Sequence, residues 1–219
     1  DLVSFVADKA VLPRESGISS RPMKGSVPFS SPQSLRTELD LPHHGRLTGM
    51  GLRRGITLIV GGGYHGKSTL LKALEAGVYN HVAGDGREYV ITDSTAMKLR
   101  AEDGRSIQNT DISLFINDLP NKKNTKCFST EDASGSTSQA AAVIEGIEAG
   151  SRAFLIDEDT SATNFMVRDD LMQKIISRSK EPITPFIERA RDLYENAGIS
   201  TIMVAGSSGA YFYIADTII

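Results

Sequence analysis

One stretch, residues 56–70, constrains the fold of this chain more than any other. It opens with a mainly apolar run, residues 56–60, that is rich in β-branched side chains and is typical of a buried strand. The next residues have the spacing of a phosphate-binding loop, Gly61-x4-Gly66-Lys67-Ser68. Leucines at helical spacing follow at positions 70, 71 and 74. The stretch therefore predicts a strand, a loop and a helix in succession.

Each residue type in this loop has a role in binding phosphate. Glycines allow backbone N–H groups to turn inward, and the start of the helix favours an anion. Lys67 can reach the β- and γ-phosphates of a nucleotide, and the Ser68 hydroxyl can bind Mg²⁺. The alternative is a glycine-rich turn that matches by chance. The candidate nucleotide-binding residues are Gly61, Gly62, Gly63, Tyr64, His65, Gly66, Lys67, Ser68 and Thr69.

The composition excludes several classes of protein. The net charge of −3 gives no general attraction to nucleic acid or to anionic membranes. A single cysteine, Cys127, excludes an internal disulfide framework and predicts a reducing compartment, the cytoplasm. No apolar run reaches the roughly 20 residues of a membrane span, so we expect no membrane association. The first residue is Asp1 and the last is Ile219. We interpret the chain as a piece of a longer protein.

The first part of the chain, residues 1–54, is expected to be a β-rich portion. Apolar and polar residues alternate from Leu35 to Leu41, as in a half-buried strand. A turn is predicted at 42–45, and residues 47–50 return as the antiparallel partner. The adjacent His43 and His44 have no carboxylate or cysteine at ligand spacing, so we interpret them as turn residues.

Residues 55–219 are expected to form the core, in which strands and helices alternate. Further strands are predicted at 88–92, 153–158 and 201–205, and a helix is predicted to open at residues 134–139. Another helix has Thr184 as its cap and Pro185 as its first residue. The prediction is an α/β fold, a P-loop NTPase with a mostly parallel sheet flanked by helices and an N-terminal antiparallel β portion.

Two carboxylates end the predicted strand at 153–158. Asp157 is suited to bind Mg²⁺, usually through water. Glu158 can polarise an attacking water as a general base. The alternative is a strand end with two solvated acids, but a phosphate-binding loop upstream favours the catalytic interpretation, in which Lys67 and Glu158 are the catalytic residues.

The chain resembles ABC-type ATPases in the order of its motifs. A Ser-Gly-Ser segment opens a helix at residue 134, and an apolar strand with two acids follows. More closely, the chain is similar to the soluble family called predicted ATPases of the ABC class. The segments that carry this resemblance are residues 61–69, 84–88, 100–105, 133–138 and 157–166. Members of that family are longer than this chain, which agrees with its interpretation as a fragment.

The resemblance implies a homodimer in which two ATPase heads sandwich ATP and Mg²⁺. Each nucleotide would lie between the loop of one head and the signature segment of the other, here Ser134, Gly135 and Ser136. An ordinary serine-rich helix cap is the competing interpretation of that segment. The resemblance also implies a communication loop between the two sites, formed by Ser161, Ala162 and Asn164.

The chain departs from the pattern of ABC ATPases at the switch histidine, and the glutamine that contacts Mg²⁺ in that pattern is weakly defined. The four histidines are at 43, 44, 65 and 81, so none occupies the usual switch position after the last strand. Ser207 and Ser208 are candidates to contact the γ-phosphate instead. His65, within the loop, could partly compensate for the missing histidine, although an outward-facing loop residue is the simpler interpretation. Gln108 is a candidate Mg²⁺ ligand, as the only glutamine between the loop and the signature segment.

The main functional hypothesis is a soluble, Mg²⁺-dependent ATPase that works as a dimer. The alternative is an ATP-gated clamp for RNA or DNA with slow hydrolysis, which the missing histidine favours. The basic run at 122–126 could contact phosphate, although a solvated loop is its simpler interpretation. A third possibility, the nucleotide-binding half of a membrane transporter, is disfavoured by the family resemblance.

Overall fold

The computed structural model describes residues 1–117, 119, 122–168, 181–206 and 209–219. Its strands, numbered along the chain, are β1 (Leu2–Ala7), β2 (Arg36–Leu41), β3 (Gly45–Arg53), β4 (Ile56–Val60), β5 (Val90–Thr92), β6 (Met97–Leu99), β7 (Arg105–Thr110), β8 (Phe128–Ala133), β9 (Ala153–Asp157), β10 (Ser200–Ala205) and β11 (Thr217–Ile218). Its helices are α1 (Lys67–Ala76), α2 (Gly135–Glu148), α3 (Thr163–Met166) and α4 (Phe186–Ala197).

The chain divides into two compact units. Unit 1 comprises Asp1–Arg54 and Tyr64–Ala96, and unit 2 comprises Gly55–Gly63 and Met97–Ile219. The sequence-based boundary between residues 54 and 55 stays a prediction.

Unit 1 contains a four-stranded antiparallel sheet in the order β2-β3-β1-β5. The predicted hairpin is confirmed, since β2 pairs with β3 from Arg36 opposite Met50 to Leu41 opposite Gly45. Burial alternates along β2 because successive side chains point to opposite faces of the sheet. The antiparallel portion expected from the alternation at 35–41 is therefore present.

Helix α1 begins at Lys67, as the leucine spacing predicts, and packs against β5 in unit 1. Leu70, Leu71 and Leu74 are all buried. Gly77 is the C-cap of this helix, and its carbonyl O accepts a hydrogen bond from the N–H of Thr92 at 2.9 Å. A Cβ atom at Gly77 would lie 2.8 Å from the Thr92 hydroxyl, so this close approach requires glycine.

The segment after α1 is bound to the N-terminal loop of unit 1 by buried charges. The buried Arg87 donates from Nε to the carbonyl O of Leu12 at 3.0 Å, and a second guanidinium nitrogen donates to the same oxygen. Arg14 binds the Asp85 carboxylate at 3.0 Å, and His81 Nδ1 lies 2.6 Å from that carboxylate. Burial and the charge of Arg14 lower the pKa of Arg87 to about 10, while Asp85 opposes the shift. These residues have a structural role.

Unit 2 is built on a five-stranded parallel sheet in the order β11-β4-β10-β9-β6. The three central strands are almost fully buried, in agreement with a parallel sheet that is covered on both faces. Helices α2, α3 and α4 contribute to its hydrophobic core. A separate antiparallel pair, β7 and β8, completes the strands described in unit 2. The predicted α/β class is confirmed.

Two boundaries in unit 2 differ from the sequence prediction, and several of its strands, β6, β7, β8 and β11, were not predicted. The last predicted helix begins at Phe186 and Pro185 is its N-cap, because Pro185 has an extended backbone with ψ of 150°. Glu158 does not belong to β9 but starts a short 3₁₀ turn. Strand β11 was not predicted, since two residues are too few to show a periodic pattern.

The phenolic hydroxyl of Tyr211 lies in the hydrophobic core of unit 2. Its side chain is fully buried, and its hydroxyl has no hydrogen-bond partner among the described residues. Burial, with a further contribution from the negative charge of Glu158, raises the pKa of Tyr211 above its usual value. The phenol is therefore held in its neutral form.

We expect Arg87→Met to lower the free energy of unfolding by about 2 kcal/mol, because the buried carbonyl of Leu12 loses a charged donor. Arg87→Lys should cost less. The matched control is Arg46→Met, which removes an exposed ion pair with Glu38 and should cost less than about 1 kcal/mol. Urea unfolding measures all three variants, and equal losses for Arg87→Met and Arg46→Met would contradict the prediction.

We expect Tyr211→Phe to leave the free energy of unfolding at pH 7 unchanged or to raise it by about 1 kcal/mol, because a buried hydroxyl without a partner is removed. The folded state keeps the Tyr211 proton at a pH where the unfolded chain releases it. The wild type should therefore lose stability above about pH 10, and the variant should lose less. Urea unfolding from pH 7 to pH 11 measures the difference.

The control is Tyr213→Phe, because the Tyr213 side chain is 93% exposed. This variant should follow the wild type at both pH values. A loss of stability at pH 7 in Tyr211→Phe alone would show that the buried hydroxyl has a partner and would contradict the prediction.

Candidate functional site

The predicted phosphate-binding loop follows β4 in the chain and precedes α1. The backbone leaves β4 at Gly61, with φ of 144°, and enters α1 from Gly66, with φ of 85°. Residues other than glycine rarely adopt these conformations, so glycine is required at both positions. Tyr64 also has a positive φ, 62°, and its side chain is fully exposed. The loop has the backbone conformation that its glycine spacing predicts.

The start of α1 is suited to an anion. Its N-cap, Gly66, has no side chain that could bind the first N–H groups, and no acidic residue lies in the first turn. The N–H groups at a helix start and the positive end of the helix dipole attract negative charge. Lys67 and Ser68 are half-buried at this helix start, and His65 is exposed, as expected.

The two candidate acids lie at the carboxyl end of β9. Asp157 is 7% exposed and pairs with Val204 of β10. The side chain of Glu158 is oriented by the adjacent strand, because its Oε2 accepts a hydrogen bond from the N–H of Gly206 at 2.6 Å. Gly206 directly follows β10. The Glu158 carboxylate is thus held at the edge of the sheet where β10 ends.

The same edge of unit 2 contains a cavity of about 370 Å³. The strand order places β10 between β4 and β9, so the residues that follow all three strands meet at one edge. Ligands of open α/β sheets bind outside the carboxyl ends of the strands. The cavity is lined by Val60, Gly61, Gly62, Ala205, Gly206, Gly209 and Phe212. The backbone of the first loop glycines therefore shares a cavity with Gly206, the residue that binds Glu158.

The candidate signature residues occupy the start of α2. Ser134 is the N-cap, and its Oγ accepts a hydrogen bond from the N–H of Thr137 at 3.4 Å. Ser134 is exposed, but Gly135 and Ser136 are buried. The Ser136 hydroxyl donates to Asn164 Oδ1 at 2.6 Å. The structure thus brings the candidate signature residues next to the candidate communication loop of the same chain.

The candidate communication loop is connected to the end of β9. The Ser161 hydroxyl donates to the carbonyl O of Asp157 at 2.9 Å, and the Ala162 N–H donates to Gln139 Oε1 at 2.9 Å. Asn164 lies in α3 with an exposed side chain. No role was predicted for Gln139, Gly206 or Tyr211. Gly206 directly precedes Ser207, and Gln139 lies three residues after Ser136, but nothing local indicated their partners.

The remaining residues singled out in the sequence are Gln108, Ser207, Ser208, His43 and His44. Gln108 has an exposed side chain on β7, which belongs to the antiparallel pair and not to the five-stranded sheet. Its assignment as a Mg²⁺ ligand stays a prediction. Ser207 and Ser208 lie outside the described residues. His43 and His44 are exposed in the turn between β2 and β3, as predicted.

The candidate Mg²⁺ ligands, considered one by one, carry oxygen donors. Within the described ranges, no group of three or more His, Cys, Asp or Glu residues could hold a metal ion. Mg²⁺ usually keeps several waters and takes only one or two protein ligands beside the phosphates of a nucleotide. A carboxylate such as Asp157 and a hydroxyl such as Ser68 are the hard oxygen donors that it prefers.

Among the helices in the described part of the chain, none has the length and apolar character needed to cross a bilayer.

Two comparisons with known proteins identify the family of this chain. Over 190 residues, 85% of this chain, the sequence is 31% identical to the uncharacterized protein MJ1628 of Methanocaldococcus jannaschii. The chain spans 41% of the length of that relative. A model of the ABC_ATPase family, described as a P-loop domain, matches residues 1–219. This protein, with its loop at the end of β4 and its acids at the end of β9, therefore belongs to the ABC_ATPase family of P-loop domains.

Proposed function

We propose that this protein binds ATP with Mg²⁺ and hydrolyses the bond to the γ-phosphate, with each nucleotide held between two copies of the chain. Membership in a P-loop ATPase family supports nucleotide binding and hydrolysis in general. The observation that carries the proposal is the hydrogen bond between Gly206 and Glu158, at a sheet edge that also bears the first glycines of the phosphate loop. A carboxylate oriented there is suited to act on water near a terminal phosphate.

The binding step uses the loop and the start of α1. Backbone N–H groups of residues 61–66 surround the phosphates, and the Lys67 ammonium offsets negative charge on the β- and γ-phosphates. Ser68 and Asp157 would hold Mg²⁺, which supplies positive charge to the phosphate oxygens. Glu158 is the general base. Its carboxylate accepts a proton from water, whose oxygen bonds to the γ-phosphorus while the bond to the ADP oxygen breaks.

The dimer would complete each site. The helix start at Ser134, Gly135 and Ser136 would contact the γ-phosphate held by a second copy, because free N–H groups at a helix N-terminus bind anions. Ser161, Ala162 and Asn164 would connect the two sites. Ser207 and Ser208 stay candidates to contact the γ-phosphate. The exposed single thiol of Cys127 is compatible with a reducing compartment, and we propose a cytoplasmic protein.

We expect Glu158→Gln to lower ATP turnover by about 10²-fold or more, because the general base is lost. ATP binding should persist, since the amide oxygen can still accept from Gly206. The adjacent exposed Asp159 provides the control, and Asp159→Asn should keep turnover within about twofold of the wild type. Phosphate release measures turnover in the intact protein, and turnover in Glu158→Gln equal to that of the wild type would refute the assigned role.

The sandwich is tested on the same variant. Because Glu158→Gln retains ATP, sedimentation should give a monomer without nucleotide and a dimer with ATP and Mg²⁺. If the variant stays monomeric when it is saturated with ATP, the dimer is excluded. The hydrolytic role of Glu158 would then be judged from turnover alone.

The second candidate function is an ATP-gated clamp on RNA or DNA. The observation in its favour is an open cleft of about 470 Å³ in unit 2 that three lysines line: Lys122, Lys123 and Lys126. Lysine ammonium groups bind phosphate backbones in a salt-dependent manner. Lys126 also interacts with Asp111, whose pKa is lowered mainly by hydrogen bonds from Ser113 and to a smaller extent by Lys126. That carboxylate weakens the positive potential of the cleft, so ATP hydrolysis remains the main proposal.

We expect the clamp, if present, to bind a single-stranded RNA or DNA oligonucleotide more tightly with ATP than without it. Replacing the three lysines with glutamine should lower the slope of log affinity against log salt by about 2, whereas the exposed Lys24→Gln should leave it unchanged. Fluorescence anisotropy at several salt concentrations measures both. Binding that does not respond to ATP or to the lysine variants would rule out the clamp.

A further inference from the structure

A buried amide on α2 connects the candidate signature segment with the loop after β9. Gln139 is fully buried, and both ends of its amide are used. Its Nε2 donates to Ser161 Oγ at 3.0 Å, and its Oε1 accepts the N–H of Ala162 at 2.9 Å. A backbone N–H can only donate, so the Ala162 contact determines which end of the amide is the oxygen. The orientation of the Gln139 side chain is therefore defined by its partners.

The hydrogen bonds continue from this loop to the candidate catalytic acids. Ser161 accepts from Gln139, and its own hydroxyl donates to the carbonyl O of Asp157 at 2.9 Å. Two successive hydrogen bonds thus join the first turns of α2 to the backbone at the end of β9. Glu158, the next residue, is oriented from its other side by Gly206. Glu158 is thus linked to α2 through the backbone of Asp157 and the hydroxyl of Ser161.

A second contact joins the same two segments closer to the start of the helix. Ser136 donates to Asn164 at 2.6 Å. Two side chains of α2, three residues apart, therefore bind the loop at two separate points. Packing alone does not call for this arrangement, because a leucine or methionine would fill the space of Gln139 without the cost of burying an amide.

We propose that Gln139 is a positioning residue that couples the start of α2 to Asp157 and Glu158. The proposal rests on the function given above, in which the start of α2 contacts the nucleotide of a second copy. When that contact forms, Gln139 and Ser161 hold the loop and the acids of the same chain in the geometry for attack on its own nucleotide. Binding of one ATP thereby favours hydrolysis of the other. Gln139 itself touches no substrate.

The test compares Gln139→Met with the wild type in the intact protein. Methionine keeps the side-chain volume but removes both hydrogen bonds. The kcat for ATP hydrolysis should fall about tenfold or more, because small misplacements of a catalytic group are costly. The KM for ATP should stay within about twofold, since no residue assigned to bind the nucleotide has changed. The kcat is expressed per folded molecule, with the folded fraction measured by circular dichroism, because partial unfolding alone would also lower the apparent kcat at constant KM.

The matched control is Ser151→Ala, beyond the other end of α2. The Ser151 hydroxyl is also buried and donates to the carbonyl O of Ala153 at 3.0 Å. Its loss should lower the unfolding midpoint but leave kcat unchanged. Ser161→Ala is a milder second variant, which should lower kcat as Gln139→Met does. The double variant should be no slower than the slower single variant, because both substitutions break the same connection.

Amide hydrogen exchange provides a readout that does not depend on ATP hydrolysis. The N–H of Ala162 should exchange at least tenfold faster in Gln139→Met than in the wild type and in Ser151→Ala. Unchanged exchange, or unchanged kcat in a wild type that is active, would overturn the coupling. A wild type without ATPase activity would overturn the proposed function instead, and the exchange rate at Ala162 would then decide whether Gln139 holds the loop.

Discussion

The parallel pairing of β4, β10 and β9 is the constraint on which the candidate site depends. Parallel strands end on the same side of a sheet, so the residues that follow these three strands are neighbours although they are far apart in the chain. Gly61, Gly206 and Glu158 are brought together in this way. The hydrogen bond from Gly206 to Glu158 is the direct result of that pairing.

Helix α2 buries several polar side chains in its first turns. A helix that covers a parallel sheet is expected to bury apolar residues, yet Ser136, Ser138 and Gln139 are buried in its first turns. Each of them makes hydrogen bonds, which removes most of the cost of burial. Because hydrogen bonds are directional, they define the position of the neighbouring loop more closely than apolar contacts could.

The surroundings of Glu158 differ from what the resemblance to ABC-type ATPases suggested. The sequence has no histidine after β10, and the described neighbours of the Glu158 carboxylate include a backbone N–H and the neutral phenol of Tyr211. Neither of these groups exchanges protons readily near neutral pH. The hydrogen bond from Gly206 contributes to the orientation of the Glu158 carboxylate, and further hydrogen bonds orient the segment that follows β9.

The sequence by itself determined the features that depend on neighbouring residues. The loop glycines, the start of α1 at Lys67, the hairpin of β2 and β3, and the start of α2 all follow from local spacing and backbone preference. These features are encoded within a few residues of the place where they occur.

Only the tertiary structure decided which distant groups meet. Glu158 and Gly206 are 48 positions apart, and Gln139 is 22 positions from Ser161 and 23 from Ala162. Strand β11 forms by pairing with β4, and its two residues are too few to show a periodic pattern in the sequence. Strand order and side-chain partners follow from the packing of the whole sheet, which local periodicity does not contain.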